Sequence, residues 1–124
     1  LLPRAEALVV TTPQPAAQLV AVRAAQMAVK TGMRVVGAVE NMSYLVDTGQ
    51  ELFGSGGGQA LADEIGVPLL ARIPLDPVLR EAADEGNPVL EVAPDSEAAQ
   101  SILALAKSVA ASRAGTIRKP LTVL

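Results

Sequence analysis

Apolar positions gather in two kinds of pattern along the chain. The first is a short unbroken run. Val35-Val36-Gly37-Ala38-Val39 holds five small or β-branched positions with no polar alternation, and it stops at Glu40-Asn41-Met42-Ser43. A strand buried on both faces reads this way, as strands of parallel sheets do. Residues 6–12 and 67–73 read as two further strands, with Pro68 near the start of the last. The second pattern has helical spacing. Residues 15–31 are Ala-rich, enter at Pro15 and stop at Gly32; only Arg23, Gln26 and Lys30 share a polar face, which predicts a helix covered nearly all round. A short helix over 59–65 closes at Gly66. Another, capped by Asp76 and opened by Pro77, runs to about Glu85. Over 96–113 an apolar face of Ala98, Ile102, Leu105, Ala106 and Val109 opposes Glu97, Gln100, Lys107 and Ser108, with Asp95 or Ser96 as cap.

A strand, a helix and a strand within about 35 residues make a βαβ unit, hence parallel pairing and a right-handed crossover. The fold class is therefore α/β, a parallel sheet with flanking helices. Residues 1–113 form the domain, and 114–124, with Arg118 and Lys119, are expected to be a mobile basic tail. Between the second strand and the short helix, Leu45-Val46 and Glu51-Leu52-Phe53 flank Asp47-Thr48-Gly49, which predicts a small hairpin.

Composition narrows the function classes. Half of the 124 residues are apolar, but Tyr44 and Phe53 are the only aromatics, so the core is aliphatic. Single-strand nucleic-acid surfaces need aromatic platforms, and phosphate-backbone binders need positive charge; this chain carries a formal −3. No nucleic-acid partner is expected. The chain has neither Cys nor His, which excludes thiolate metal sites, Cys nucleophiles and imidazole acid–base chemistry. No apolar run approaches the roughly 20 residues of a membrane span, and no secretory signal pattern is present. A cytoplasmic protein is the expectation.

Candidate chemistry lies after the strands, because ligands of open parallel sheets sit at their carboxyl ends. There Asn41 offers a donor and an acceptor together, which is what reading a purine edge requires; the same amide also suits a turn cap. Gly54-Ser55-Gly56-Gly57-Gly58 stands before a helix, as a phosphate loop would. A Walker loop enters its helix through Gly-Lys-Ser/Thr, whereas Gln59-Ala60-Leu61 follows here. A tight structural turn is the expected role. The remaining acids are scattered, with no pair at a catalytic spacing, and no catalytic residue is assigned.

Taken in order, Thr11-Thr12-Pro13-Gln14, Arg23 and Met27, Val39-Glu40-Asn41-Met42-Ser43, Phe53-Gly54-Ser55-Gly56-Gly57-Gly58, Ile73-Pro74-Leu75-Asp76-Pro77 and Asp84-Glu85-Gly86-Asn87-Pro88 resemble the Mrp (ApbC-like) family. These are P-loop ATPases of the MinD and nitrogenase iron protein superfamily, implicated in carrying iron–sulfur clusters to apoproteins. The resemblance covers residues 5 to about 92. It implies the C-terminal half of a P-loop domain with a deviant Walker A loop. It also implies an adenine-reading amide at Asn41 and a second wall of the base pocket at Pro74, Leu75 and Asp76. ATP and Mg would be the ligands of the complete protein, a homodimer its assembly, and iron–sulfur apoproteins its possible partners. Two departures stand out. The lysines of the phosphate loop and the acid that positions magnesium lie, in the family, upstream of anything resembling residue 5. And Asp47-Thr48-Gly49 occupies the connection where many members carry Cys-Pro-x-Cys, so no cluster is expected on this chain. Two alternatives are a MinD/ParA-like spatial regulator and a non-enzymatic interaction domain. The first would want a basic amphipathic terminal helix, and Pro120 interrupts the basic tail.

Overall fold

The computed structural model describes residues 4–117, with side-chain surroundings through Ser112. Three strands, β1 (Glu6–Thr11), β2 (Arg34–Glu40) and β3 (Leu69–Arg72), form a parallel sheet in the order β1-β2-β3. Helix α1 (Pro15–Lys30) crosses from β1 to β2. The 41–56 connection and α2 (Gly57–Ile65) cross from β2 to β3. Stepping the same way twice with right-handed crossovers puts α1 and α2 on one face of the sheet. There they pack on each other and on the strands. Helices α3 (Pro77–Asp84), α4 (Val89–Val92) and α5 (Glu97–Ile117) follow, and α5 returns to pack on β3.

The core sits between the sheet and the α1/α2 layer. It is built from Val9, Ala21, Val22, Ala25, Ala38, Leu61 and Ala62, with Val35, Ile65, Val67 and Leu69 packed against it. The alanines let the helices approach the strands closely, in place of the large aromatics that the chain lacks. Each register has one irregularity, leaving Val36 of β2 and Leu70 of β3 as the extra residues. Gly37 is required there, since the Leu70 side chain fills the space a β-carbon would need.

Several expectations meet a different outcome. Helix α1 buries only Ala21, Val22, Ala25 and Ala28, while Leu19, Val20, Met27 and Val29 are 56–67% exposed. The small residues take the sheet-facing side, so the larger apolar ones face out within this chain. The predicted hairpin over 45–53 does not form. Instead Leu45 bridges Leu75 in parallel, and the Gly49 and Gln50 backbones fold back onto Leu45 in a tight turn. Short α4 follows Pro88 where no element was predicted, and α5 continues to Ile117 rather than stopping near 113. The rest of the expected basic tail, from Arg118, lies outside the described residues. Among the described residues no helix is long and apolar enough to cross a membrane.

Candidate functional site at the carboxyl ends of the strands

All three strands end on one edge of the sheet, and backbone bonds stitch those ends together. Asn41 N–H donates to Thr11 O at 2.7 Å, Ile73 N–H to Glu40 O at 2.8 Å, and Ser43 N–H to Ile73 O at 3.0 Å. Pairing continues beyond the regular strands: Leu75 N–H reaches Tyr44 O at 2.7 Å and Val46 N–H reaches Leu75 O at 3.3 Å. The turn carrying Asn41 and the loop carrying Pro74, Leu75 and Asp76 are therefore held side by side, as a shared crevice requires.

The four candidate residues differ in what they can offer. Asn41 is half-buried, and its Oδ1 accepts from Met42 N–H at 2.9 Å. Among the described residues its Nδ2 makes no recorded hydrogen bond. So the amide both closes its own turn and presents a donor, and the two sequence readings of Asn41 are not exclusive. Met42 takes φ 54, a left-handed conformation uncommon outside glycine and Asn or Asp, which turns the chain away from β2. Pro74 is fully buried. Leu75 has both backbone groups engaged. Asp76, 9% exposed, accepts Val78 N–H at 3.0 Å as the N-cap of α3, which is what its sequence position suggested. Past the end of β1, Gln14 Oε1 is a buried acceptor with no partner among the described residues.

Beneath the crevice lies a group that residue reasoning passed over. Glu40 is 1% exposed at the end of β2. Its Oε2 accepts Gly58 N–H at 2.6 Å; its Oε1 accepts the Ser43 hydroxyl at 2.7 Å and faces Arg72 Nε at 3.4 Å. The first two are short, charge-assisted bonds; the third is long and its guanidinium half exposed, so it contributes little. The Arg72 guanidinium also lies 5.7 Å over the Tyr44 ring, and Tyr44 OH donates to Glu97 Oε1 at 3.0 Å. Burial, then Glu97 itself, push the Tyr44 phenol above its ordinary value, with Arg72 opposing them. A usable signal for Glu40 was present: an acid ending an apolar strand, a Ser three residues on, and paired glycines opening the next helix.

The glycine segment now has a defined job. Gly57 packs against the Pro13 backbone and Gly58 against Glu40, leaving no room for a β-carbon at either. The Gly58 amide at the start of α2 is already taken by a carboxylate from the same chain. While Glu40 holds it, the Gly58 amide is not open to a phosphate oxygen. Among the described residues no group of three or more acids stands where it could hold a metal ion. Two hollows lie elsewhere. One, of about 760 Å³, lies between the sheet and α5, and another, of about 920 Å³, between α1, α2 and the amino end of β2; neither includes Asn41 or the 74–76 loop.

Residues 1–110 match the model of a family described as "ParA: NUBPL iron-transfer P-loop NTPase". The chain belongs to this family. Among curated relatives, the iron–sulfur cluster carrier protein of Mycobacterium tuberculosis is 44% identical over 124 residues, covering 93% of this chain and 32% of the relative. That of Mycobacterium leprae is 47% identical over 115 residues, covering 86% and 30%. The chain spans about a third of the length of the curated relatives it matches. Among solved structures, MinD from Pyrococcus horikoshii, complexed with Mg-ADP, superposes with a TM-score of 0.68 at 33% identity, over 84% of this chain and 40% of that one. A MinD from Aquifex aeolicus, at 21% identity and TM-score 0.69, shares the fold. The parallel sheet with flanking helices is thus that of a MinD-like P-loop ATPase, and the resemblance seen in the motifs holds at the level of family.

Proposed function

We propose that this chain supplies the base-binding side of an ATP site in an iron–sulfur cluster carrier ATPase. One observation carries the reading: the Asn41 turn and the Pro74–Asp76 loop are laced together at the carboxyl ends of adjacent parallel strands, with the Asn41 amide donor unengaged among the described residues. The Mg-ADP bound to the Pyrococcus MinD supports the nucleotide, and the likeness to iron–sulfur cluster carrier proteins supports the cargo. ATP supplies the phosphoryl chemistry, and magnesium the charge neutralisation that goes with it. This chain's part is to seat the base, Asn41 reading its edge while Pro74, Leu75 and Asp76 hold the opposite wall. The iron–sulfur cluster is cargo, delivered to apoproteins. The working assembly is a homodimer in the cytoplasm, and a spatial-regulator role of the MinD kind is the second reading, drawn from the structural neighbours.

The test uses a polypeptide that carries this segment together with a phosphate-binding half. Asn41→Ala leaves a base-edge group unpaired and is expected to cost about 1–3 kcal/mol of ATP affinity, roughly 5- to 150-fold. Asn41→Asp offers only acceptors, which suit the donors of guanine, so the ATP:GTP preference should move toward GTP. If that ratio stays constant in both variants while the melting point falls, Asn41 is a turn residue and the site assignment is wrong.

A further inference from the structure

Resting on that reading, we infer that Glu40 is the positioning residue of the base-reading turn: its buried carboxylate fixes Asn41 by fastening Ser43 and Gly58 to the end of β2. Asn41 and Met42 are the only residues between Glu40 and Ser43. Ser43 Oγ donates to Glu40 Oε1 at 2.7 Å and also lies 3.2 Å from Glu40 O, so side chain and backbone of one residue pin both ends of a two-residue excursion. Within it Met42 sits at φ 54. A non-glycine residue stays there only when its surroundings over-determine it. Released from the clamp, the turn would relax toward ordinary φ, and the Asn41 amide would lose its fixed direction.

The second oxygen reaches further along the chain. Oε2 holds Gly58 N–H at 2.6 Å, and Gly58 lies in the first turn of α2, just past the 41–56 connection in which Ser43 stands. One carboxylate therefore fastens both ends of that connection to the end of β2. The glycine at 58 belongs to this device, since a β-carbon there would lie 2.6 Å from Glu40 Cβ. What matters is reach: the group must span from β2 to α2 and to Ser43 at once. A carboxylate one methylene shorter cannot do so. An amide of full length can, accepting from Gly58 N–H and donating to Ser43 Oγ.

The experiment compares Glu40→Asp, Glu40→Gln, Ser43→Ala, Asn41→Ala and Val22→Ala in the polypeptide carrying this segment with its phosphate-binding half. ATP and GTP affinities and the melting temperature are measured for each. Val22 is a buried α1 residue outside the site and serves as the stability control. Glu40→Asp is expected to reduce the ATP:GTP affinity ratio by about tenfold, a loss of directed hydrogen bonding worth one decade. Glu40→Gln should keep the ratio within about threefold of wild type, and Val22→Ala should lower the melting point with the ratio unchanged. Ser43→Ala removes one leg of the clamp without shortening Glu40 and should lower the ratio by about threefold, so the inference stays testable if Glu40→Asp fails to fold. Should Asn41→Ala abolish the preference while Glu40→Asp and Ser43→Ala behave like Val22→Ala, Glu40 is structural only and base reading stands without it. Should Glu40→Gln lose the preference and Glu40→Asp keep it, charge rather than reach is at work and the inference fails. Should Asn41→Ala itself leave the ratio untouched, base reading fails and this inference with it.

Discussion

Replacing Gly58 by Ala sets two effects of known size against each other. Gly58 lies in the first turn of α2 at an ordinary negative φ, so Ala brings its helix propensity, a gain of up to about 1 kcal/mol. Against this, the new methyl would stand 2.6 Å from Glu40 Cβ and 2.8 Å from Oε2, and the buried Glu40 side chain has nowhere to retreat. Overpacking of this kind costs about 1–3 kcal/mol. Pushing the carboxylate off the Gly58 amide removes a bond to a charged group, worth about 1.5–3 kcal/mol. The balance is destabilising, by about 1.5–5 kcal/mol. Taken at about 3 kcal/mol, the shift in melting temperature for a domain of this size is roughly 9–13 °C. The assay is urea and thermal unfolding by circular dichroism, run as a double-mutant cycle with Glu40→Gly, which removes the β-carbon as well as the carboxylate. In the Glu40→Gly background the clashing β-carbon and carboxylate are both gone, and Gly58→Ala should be neutral or slightly stabilising. Gly54→Ala, at φ +87 with nothing within 4 Å, gauges backbone strain alone and should cost only about 1 kcal/mol. A stabilising Gly58→Ala in the wild-type background, or equal effects in both backgrounds, would refute the account of Gly58 as the seat of Glu40.

The 124-residue chain alone should show no Mg-ATP binding by calorimetry, because triphosphate affinity in P-loop proteins comes from loop amides, a Lys and magnesium, and the Gly58 amide here is taken; micromolar binding would contradict this. Incubation with iron and sulfide under reducing conditions should leave no cluster on the chain after desalting, since clusters are held by Cys thiolates, occasionally with His, and it has neither. Tyr44 keeps its proton in the folded state beyond the pH near 10 where the unfolded chain releases it, so wild-type stability should fall as pH climbs past that value. Tyr44→Phe should cost under about 1 kcal/mol at neutral pH and remove this alkaline sensitivity in pH-dependent unfolding; an unchanged alkaline slope would show that Tyr44 is not its source.

What the sequence made legible follows from which forces act locally. The three strands were readable as short apolar runs, and Val35–Val39 has no polar residue. The burial on both faces expected of the first strand is not met: in β1, Leu8 and Val10 face out within this chain. Asp76 and Gly66 were readable because capping is decided by a few neighbouring residues, and both cap as their positions suggest. The adjacency of Asn41 and the 74–76 loop followed from parallel topology. The misreadings concern choices made at long range. An Ala-rich helix has two apolar faces, and only packing decides that Ala21, Ala25 and Ala28 go inward while Val20 and Met27 stay out. A hairpin and a parallel extension suit the same Leu45-Val46 pair; Leu75, thirty residues on, settles it. Glu40 was hidden for the same reason, because an acid at a strand end looks solvated until Gly58 is brought against it.

That contact also decides how a nucleotide can be divided across the fold. A helix N-terminus behind a run of glycines invites an anion, and in this chain the anion is already present, covalently attached and buried. A phosphate oxygen seeking the Gly58 amide would have to displace Glu40 Oε2 or stand beside it. Two like charges about 4 Å apart repel by about 4 kcal/mol even at an effective dielectric of 20. Displacing the carboxylate would free Ser43 and Gly58 together, and with them the turn that aims Asn41. On the proposed reading, aiming Asn41 and binding a phosphate are competing uses of the Gly58 amide, and triphosphate affinity would come from other residues. Gly58 would then serve base recognition indirectly, by letting the Glu40 carboxylate come close enough to lock the turn beside it.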